Sequence, residues 1–244
     1  MTMLAPGYIE SHQLADTLNA QGYGVLSPEE LTSFIGHPLA ALEALKADWD
    51  DLPLDNFLKD SGRYRRRRHS CFIVYHQSLT QAPHRAHYQP LAYNALHGGM
   101  HRLFEPIAQH TLQQPVWQAL MLSIAGICSA IRGEQPWYVE AHQFRIDTRN
   151  GIGRPTPEGA HRDGVDFVAI LLVSRNHVSG GESRIFEAEG PNGQRFTLSQ
   201  PWTLLLLDDQ RVIHESTPIQ PTAENAHRDT LVLTFRADAF LEQT

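Results

Sequence analysis

The sequence predicts a mainly antiparallel β fold, with helices concentrated in its first half. From Trp137 onward, short runs rich in Val, Ile, Leu, Phe and Thr alternate with Gly, Pro, Asn and Asp, which is the pattern of strands joined by turns. No segment with helical periodicity separates these runs. A sandwich or barrel is therefore favoured over a sheet built from alternating strands and helices.

Three helices are predicted before this region. An amphipathic stretch over residues 11–20 ends at the glycines that follow it. A capping box at residues 27–30, with Pro28 at the first helical position, predicts a second helix that continues to about residue 49. A third helix over 116–131 is apolar nearly all round, and such a helix is expected to pack against a sheet.

Seven strands are predicted, and Gly- and Pro-rich residues 147–160 are predicted to form a loop. The strands span 64–76, 137–146, 165–174, 183–188, 194–199, 203–208 and 230–236. We expect a single domain over residues 1–244, in which helical residues 1–60 support a β core of about 64–236.

Composition narrows the class of function. Of the 244 residues, 41% are hydrophobic, which is enough for a packed core. The formal net charge of −7 opposes a general nucleic-acid binder, and two cysteines cannot build a disulfide framework. The chain shows neither a secretory signal nor an apolar run of roughly 20 residues, the length of a membrane span. We expect a cytoplasmic protein that binds small molecules, with no nucleic-acid or membrane partner and with a homodimer left open.

Three residues have the chemistry of a non-haem iron site, which needs two imidazoles and one carboxylate on one side of the metal. His161 and Asp163, two residues apart at the start of an extended run, project to the same side of it. His214 follows a later apolar run and suits a partner from another strand. With 14 histidines and 27 acidic residues, about 1.5 such His-x-acid pairs are expected by chance. An ordinary hydrogen-bonded pair with a core histidine is therefore an equally good interpretation of the spacing.

An arginine after the third candidate ligand favours the iron interpretation. A guanidinium binds a carboxylate through two parallel hydrogen bonds, so Arg228 suits the distal carboxylate of a dicarboxylate cosubstrate. The hydroxyl of Thr230, two residues on along the same strand face, would add a donor. Taken alone, Arg228 is better explained as a solvent-facing arginine at the start of a strand.

Together these residues resemble the HxD…H…RxS/T signature of 2-oxoglutarate- and iron(II)-dependent dioxygenases. The segments PEGAHRDGVDFV, GGESRIF, DDQRVIHESTPI and RDTLVLTF are similar to those of a bacterial branch that contains isoleucine dioxygenase and related free L-amino-acid hydroxylases. The resemblance covers roughly residues 60–236. Its departures lie mostly in the N-terminal helices.

This resemblance implies a double-stranded β-helix, the jelly roll of cupin-like proteins, with supporting N-terminal helices. His161, Asp163 and His214 would bind Fe(II), Arg228 and Thr230 would bind 2-oxoglutarate, and O2 would be the other cosubstrate. The implied reaction hydroxylates a free aliphatic L-amino acid and yields succinate and CO2, and sulfoxidation of methionine is compatible with it. Two alternatives remain: the same iron core acting on a peptide or another metabolite, and a non-catalytic metal-binding jelly-roll sensor.

A dense basic run offers further candidates for substrate contacts. If 64–76 is a strand, Arg66 and Arg68 share a side with Phe72 and Val74, so that one arginine could reach inward to a substrate carboxylate. A solvated strand face is the alternative interpretation of these arginines.

A second strand and a turn add three more candidates. Gln143 and Arg145 share one strand face, and Val139 and Ala141 favour that face as the barrel interior. Gln143 would then contact the cosubstrate and Arg145 the substrate, although a strand neighbour without a ligand explains both residues as well. Asp166, just after the predicted ligand pair, could bind a substrate ammonium or end a turn.

Overall fold

The computed structural model describes residues 4–59, 63–94, 96, 98–149 and 151–242. The helices are α1 (Leu14–Gln21), α2 (Pro28–Ile35), α3 (Leu39–Glu43), α4 (Gln109–Leu112) and α5 (Pro115–Arg132), with short 3-10 helices at Ser11–Gln13 and Lys46–Asp51. The strands are β1 (Tyr23–Leu26), β2 (Arg65–Tyr75), β3 (Ser78–Gln81), β4 (Trp137–Asp147), β5 (Phe167–Asn176), β6 (Val178–Gly180), β7 (Ser183–Glu187), β8 (Gly193–Phe196), β9 (Leu204–Asp208), β10 (Val212–Ser216), β11 (Ile219–Pro221) and β12 (His227–Arg236).

The segment predicted as one helix from residue 28 to about residue 49 consists of three short elements. Ser27 caps α2 as predicted, its side chain accepting a hydrogen bond of 3.2 Å from the Glu30 amide. Helix α2 ends at Gly36, whose φ of 68° is left-handed and favours glycine. Pro38 follows as the N-cap of α3 and cannot donate a helical hydrogen bond. The prediction of a continuous helix was therefore wrong.

Seven strands form an antiparallel sheet in the order β1-β9-β5-β12-β4-β2-β3. Strand β12 lies in its middle and pairs with both β4 and β5, with a register shift between Asp229 and Thr230. Each of the seven predicted strands is present, with ends that differ by a few residues. The short strands β1, β3, β6, β10 and β11 lie outside the predicted ranges.

A second layer of strands faces the large sheet. It contains a sheet in the order β10-β7-β8 and a pair of strands β11-β6. Ile185 of β7 and Phe196 of β8 pack in one apolar cluster with Val168 and Leu205 of the large sheet. Two antiparallel layers around a shared interior are the jelly roll that the sequence predicted.

The other side of the large sheet is covered by helices. Trp117 and Leu120 of α5 belong to the main apolar core together with Val139 and Leu233 of the sheet. The third predicted helix therefore packs against a sheet as expected. By length and composition α5 could also cross a membrane, but core helices of soluble proteins commonly pass the same test.

Side chains of the large sheet thus alternate between two buried environments. On β4, Val139 and Ala141 belong to the core under the helices, whereas Glu140, His142 and Phe144 line a cavity between the strand layers. The more apolar face of this strand is the one turned away from the cavity.

Candidate metal centre and its cavity

His161, Asp163 and His214 come together at the wall of this cavity. The backbones of the two histidines form an antiparallel bridge with N···O distances of 2.9 and 3.0 Å. Nε2 of His161 lies 3.8 Å from Oδ1 of Asp163, and Nε2 of His214 lies 3.6 Å from Oδ2. Both distances are too long for hydrogen bonds. Two adjacent ligand atoms of one metal ion lie about 3 Å apart when each is about 2.1 Å from the ion. The two observed distances are close to this separation.

Neighbouring groups orient these candidate ligands. Nδ1 of His161 donates to the Gly159 carbonyl at 2.9 Å, which leaves the lone pair of Nε2 facing Asp163. Nε2 of Gln89 donates to Oδ1 of Asp163, also at 2.9 Å. Gln89 comes from a loop far earlier in the chain, and no sequence pattern indicated its role.

Asp209 fixes the backbone that carries Asp163. Its carboxylate accepts hydrogen bonds from the amides of Asp163 (3.0 Å), Gly164 (2.8 Å) and Val165 (3.1 Å). Gly164 has a left-handed φ of 79°, and a Cβ there would lie 2.5 Å from the ring of Tyr93. Asp209 therefore positions the candidate ligand without pointing to the metal, a role that the sequence analysis missed.

Asp209→Ala is expected to weaken Fe(II) binding by about 10- to 100-fold, the usual cost of losing a group that orients a ligand. Anaerobic calorimetric titration with Fe(II) measures this affinity. Asp166→Ala is the matched control, because Asp166 accepts from the Ala237 amide rather than from the metal-binding loop. Equal losses in both variants would contradict a specific role for Asp209.

The protonation states of the three residues suit a bound cation. Burial lowers the pKa of His214 to about 3, so that its imidazole is neutral, the form that binds metals. Burial raises the pKa of Asp163, and a cation beside its carboxylate would offset that cost. Burial alone would lower the pKa of His161, but Asp163 and Glu158 outweigh it and raise that pKa. The donor set thus fits a divalent metal ion.

Arg228 and Thr230 lie on the cavity face of β12, and both are buried. Nε of Arg228 has no hydrogen-bond partner among the described residues, and burial lowers the pKa of this guanidinium to about 10. Burying a cation is costly unless it is paired and hydrogen-bonded. An anionic carboxylate in the cavity would provide that partner, as expected for 2-oxoglutarate.

The other predicted ligand contacts are placed away from the cavity. Gln143 is fully buried on the face of β4 that packs under the helices. Arg145, on that same face, forms an ion pair of 2.8 Å with Asp229. Asp166 accepts a hydrogen bond of 2.8 Å from the side chain of Gln210. The prediction that these residues face a ligand is corrected. Gln143 and Arg145 share their strand face with Val139 and Ala141 of the helix-covered core, and Asp166 does not line the cavity.

Arg66 and Arg68 also point away from the cavity. Arg66 donates to the Leu52 carbonyl at 3.0 Å, and Arg68 donates to the Asp51 carbonyl at 3.1 Å. The prediction that one of them reaches inward is corrected for the same reason, because the side of β2 that carries Phe72 faces the helices. The odd-numbered arginines of β2 line the cavity instead.

A second cluster in the described residues also has the composition of a metal site: His69, His87, Glu140 and His142. Two of its histidines are already hydrogen-bonded to its carboxylate, since His69 and His87 lie 2.8 and 2.6 Å from Oε2 of Glu140. Arg67 donates to Nδ1 of His142 at 2.9 Å and places a guanidinium beside the cluster. Such a cation disfavours a metal ion here. The triad of His161, Asp163 and His214 is the better iron site.

The triad lines one cavity of about 140 Å³ together with His87, Glu140 and His142 of the second cluster. Such a volume holds on the order of ten water molecules. The cavity wall also contains Arg65, Arg67, Arg102 and Arg228. It is therefore a small-molecule cavity with several buried cations.

A family model described as 2OG-Fe dioxygenase matches residues 46–234, more than half of the chain. The chain therefore belongs to the 2OG-Fe dioxygenase family, whose members are oxidoreductases that use Fe(II), 2-oxoglutarate and O2. No curated protein matches the sequence.

Three solved structures are similar to this chain. The crystal structure of a bsmA homolog from Methylobium petroleophilum PM1 is 49% identical, covers 100% of both chains and has a TM-score of 0.93. IDO from Bacillus thuringiensis is 21% identical over 93% of this chain and 99% of its own, with a TM-score of 0.77. The Fe(II)/α-ketoglutarate-dependent dioxygenase TqaL is 18% identical over 94% of this chain and 90% of its own, with a TM-score of 0.71. The last two likenesses show the fold alone.

Proposed function

We propose that this protein hydroxylates a free aliphatic L-amino acid and converts 2-oxoglutarate to succinate and CO2. The observation that supports this most is a cavity whose wall contains the candidate iron triad, the buried guanidinium of Arg228 and a further polar cluster around Glu140. A cavity lined by apolar side chains and a few convergent polar groups is typical of a small-molecule site.

His161, Asp163 and His214 would hold the iron, which with 2-oxoglutarate and O2 supplies the oxidising chemistry when bound. Arg228 would bind the distal carboxylate of 2-oxoglutarate bidentately, and the hydroxyl of Thr230 would add a donor. These side chains are buried or half-buried and come mostly from strands, so their positions are set before any ligand enters.

Apolar side chains separate the polar groups of the cavity. Val165, Ile170, Leu205 and Val232 line it within the strand layers. They exclude water around the reacting groups and offer contact surface to an aliphatic side chain. This lining favours an aliphatic substrate, and the thioether of methionine would fit the same surface.

The two alternatives make different demands on the cavity. A peptide substrate needs an open groove for its flanking residues, and the small cavity favours a free metabolite instead. A metal-binding sensor needs no cation for a cosubstrate, whereas Arg228 lies buried in the cavity wall. The cavity therefore supports an enzyme acting on a small molecule.

The direct test is a screen of the twenty L-amino acids for succinate formation with Fe(II), 2-oxoglutarate and O2. We expect at least one aliphatic amino acid or methionine to raise the rate about tenfold or more above the rate without substrate. Mass spectrometry of the amino acid should then show one added oxygen atom. A screen in which all twenty fail, while a peptide library raises succinate formation, would contradict the proposal.

A further inference from the structure

We infer that Arg67 and Arg102, with Arg65 beside them, form a carboxylate-binding subsite that takes the α-carboxylate of the substrate. The inference rests on the proposed function and adds the residues that recognise the amino-acid backbone. All three arginines are buried, with 4%, 2% and 6% of their surfaces exposed, and all three line the cavity.

The three guanidiniums lack enough anionic partners. Nε of Arg65 binds Oδ2 of Asp55 at 2.7 Å, and NH1 of Arg67 lies 4.0 Å from the same oxygen. Arg102 donates instead to the neutral side-chain carbonyl of Gln89 at 3.1 Å. Glu140, a further buried carboxylate at this end, is a nearby opposite charge for Arg67 and Arg102, but its Oε2 is hydrogen-bonded to His69 and His87 rather than to either arginine. One carboxylate, Asp55, thus serves more than one buried cation.

Each guanidinium also keeps a donor without a partner. NH2 of Arg65, Nε of Arg67 and Nε of Arg102 are buried and make no hydrogen bond to any residue that the structure describes. Burial and the other cations lower the pKa values of Arg67 and Arg102, the latter to about 10. Unpaired donors on crowded cations are costly to bury, and a carboxylate would satisfy both the donors and the charge.

This subsite is separate from the guanidinium proposed for 2-oxoglutarate. Strand β4 lies between β2, which carries Arg67, and β12, which carries Arg228. Two strand spacings of about 4.8 Å place the two arginine-bearing backbones about 10 Å apart. The ring of Phe144 on β4 lies 4.7 Å from the Arg67 guanidinium, and Phe144 pairs with Arg67 and Thr230, whereas Arg228 pairs with Ile146. Two different carboxylates can therefore be bound at once.

The subsite is also connected to the candidate iron ligands. Gln89 accepts from Arg102 through Oε1 and donates to Asp163 through Nε2. A carboxylate on Arg102 would thus lie one side chain away from the triad. That distance suits an amino acid whose α-carboxylate is bound here while its side chain extends towards the iron.

Glu140 gives this end of the cavity a negative group as well. It lines the cavity, and His69 and His87 donate to its Oε2. The buried carboxylate can bind the ammonium group of a zwitterion, and the neighbouring arginines can bind its carboxylate. The chemical class that fits is therefore a free α-amino acid rather than a simple amine or alcohol.

The test compares three ligands of the anaerobic protein loaded with Fe(II) and 2-oxoglutarate, by calorimetry. L-Isoleucine carries both charged groups, 3-methylpentanoate lacks the amine, and isoleucinol lacks the carboxylate. In Arg67→Met we expect about 10- to 100-fold weaker binding of isoleucine and 3-methylpentanoate, with isoleucinol changed by less than about twofold. Arg67→Lys should recover part of the loss. Arg68→Met, from the opposite face of β2, should bind all three like the unmodified protein.

The Arg67 guanidinium also packs on the rings of Phe104 and Phe144. If loss of these contacts unfolds the chain, Arg102→Met is the second variant to measure. Unchanged affinities in both variants would overturn the inference. So would an equal loss of all three ligands, which would indicate a purely structural role. If no amino acid supports succinate formation, yet 3-methylpentanoate binds the unmodified protein and not Arg67→Met, the subsite stands and the proposed function fails. Binding of none of the three ligands by the unmodified protein overturns the subsite as well.

Discussion

Replacing His214 with alanine is expected to abolish iron binding at micromolar Fe(II) and to lower succinate formation at least about 1,000-fold. His214 is one of only three candidate ligands in the triad, and its buried imidazole is neutral, as metal binding requires. The loss should exceed the 10- to 100-fold effect of removing a group that only orients a ligand. Anaerobic Fe(II) titration measures the first effect, and succinate release with 2-oxoglutarate measures the second.

His69→Ala is the control that separates the two histidine clusters. His69 belongs to the hydrogen-bonded cluster around Glu140 and is fully buried, so removal of its ring is as disruptive to packing as removal of His214. We expect His69→Ala to retain one equivalent of iron, provided that circular dichroism shows a folded protein. If His214→Ala bound iron and His69→Ala did not, the metal site would be the Glu140 cluster. That result would contradict the assignment to the triad.

The sequence was informative about this centre because a short motif constrains the backbone. His161 and Asp163 share one side of an extended segment, and the backbone of His161 pairs with that of His214. Two such constraints are enough to bring three distant side chains together. The fold was predictable for a similar reason, since long strands such as β4 and β12 have clear apolar patterns and turn residues at their ends.

The interior face of each strand was harder to predict. Both faces of the large sheet are buried, one under helices and one around the cavity, so apolar residues do not identify the cavity side. Val139 and Ala141 pointed to the larger core, and Gln143 was assigned to the cavity with them. The same wrong choice of side was made on β2, where Arg66 was predicted to face the cavity and its neighbour Arg67 does so. The period of two was predicted correctly, and only the choice of side was wrong.

The supporting residues left no local pattern. Gln89 and Asp209 come from loops or turns, and each acts through a hydrogen bond to a residue more than 40 positions away. Short strands were missed for a related reason. Strand β1 has four residues and is stabilised by pairing with β9, a contact that a local window cannot contain.

Arg228→Met is expected to weaken 2-oxoglutarate binding about 100-fold while leaving Fe(II) binding within about threefold. The substitution keeps most of the side chain's length and removes the planar donors that a carboxylate would bind, and charge-assisted bidentate hydrogen bonds are worth about 3 kcal/mol. Anaerobic titration of the Fe(II) protein with 2-oxoglutarate, followed by its weak visible charge-transfer band, measures the affinity. Arg236→Met is the matched control, because Arg236 lies on the same strand as Arg228 but does not line the cavity. It should bind 2-oxoglutarate like the unmodified protein. Unchanged affinity in Arg228→Met would show that another of the buried arginines binds the cosubstrate, and Arg67 would then be the first to test.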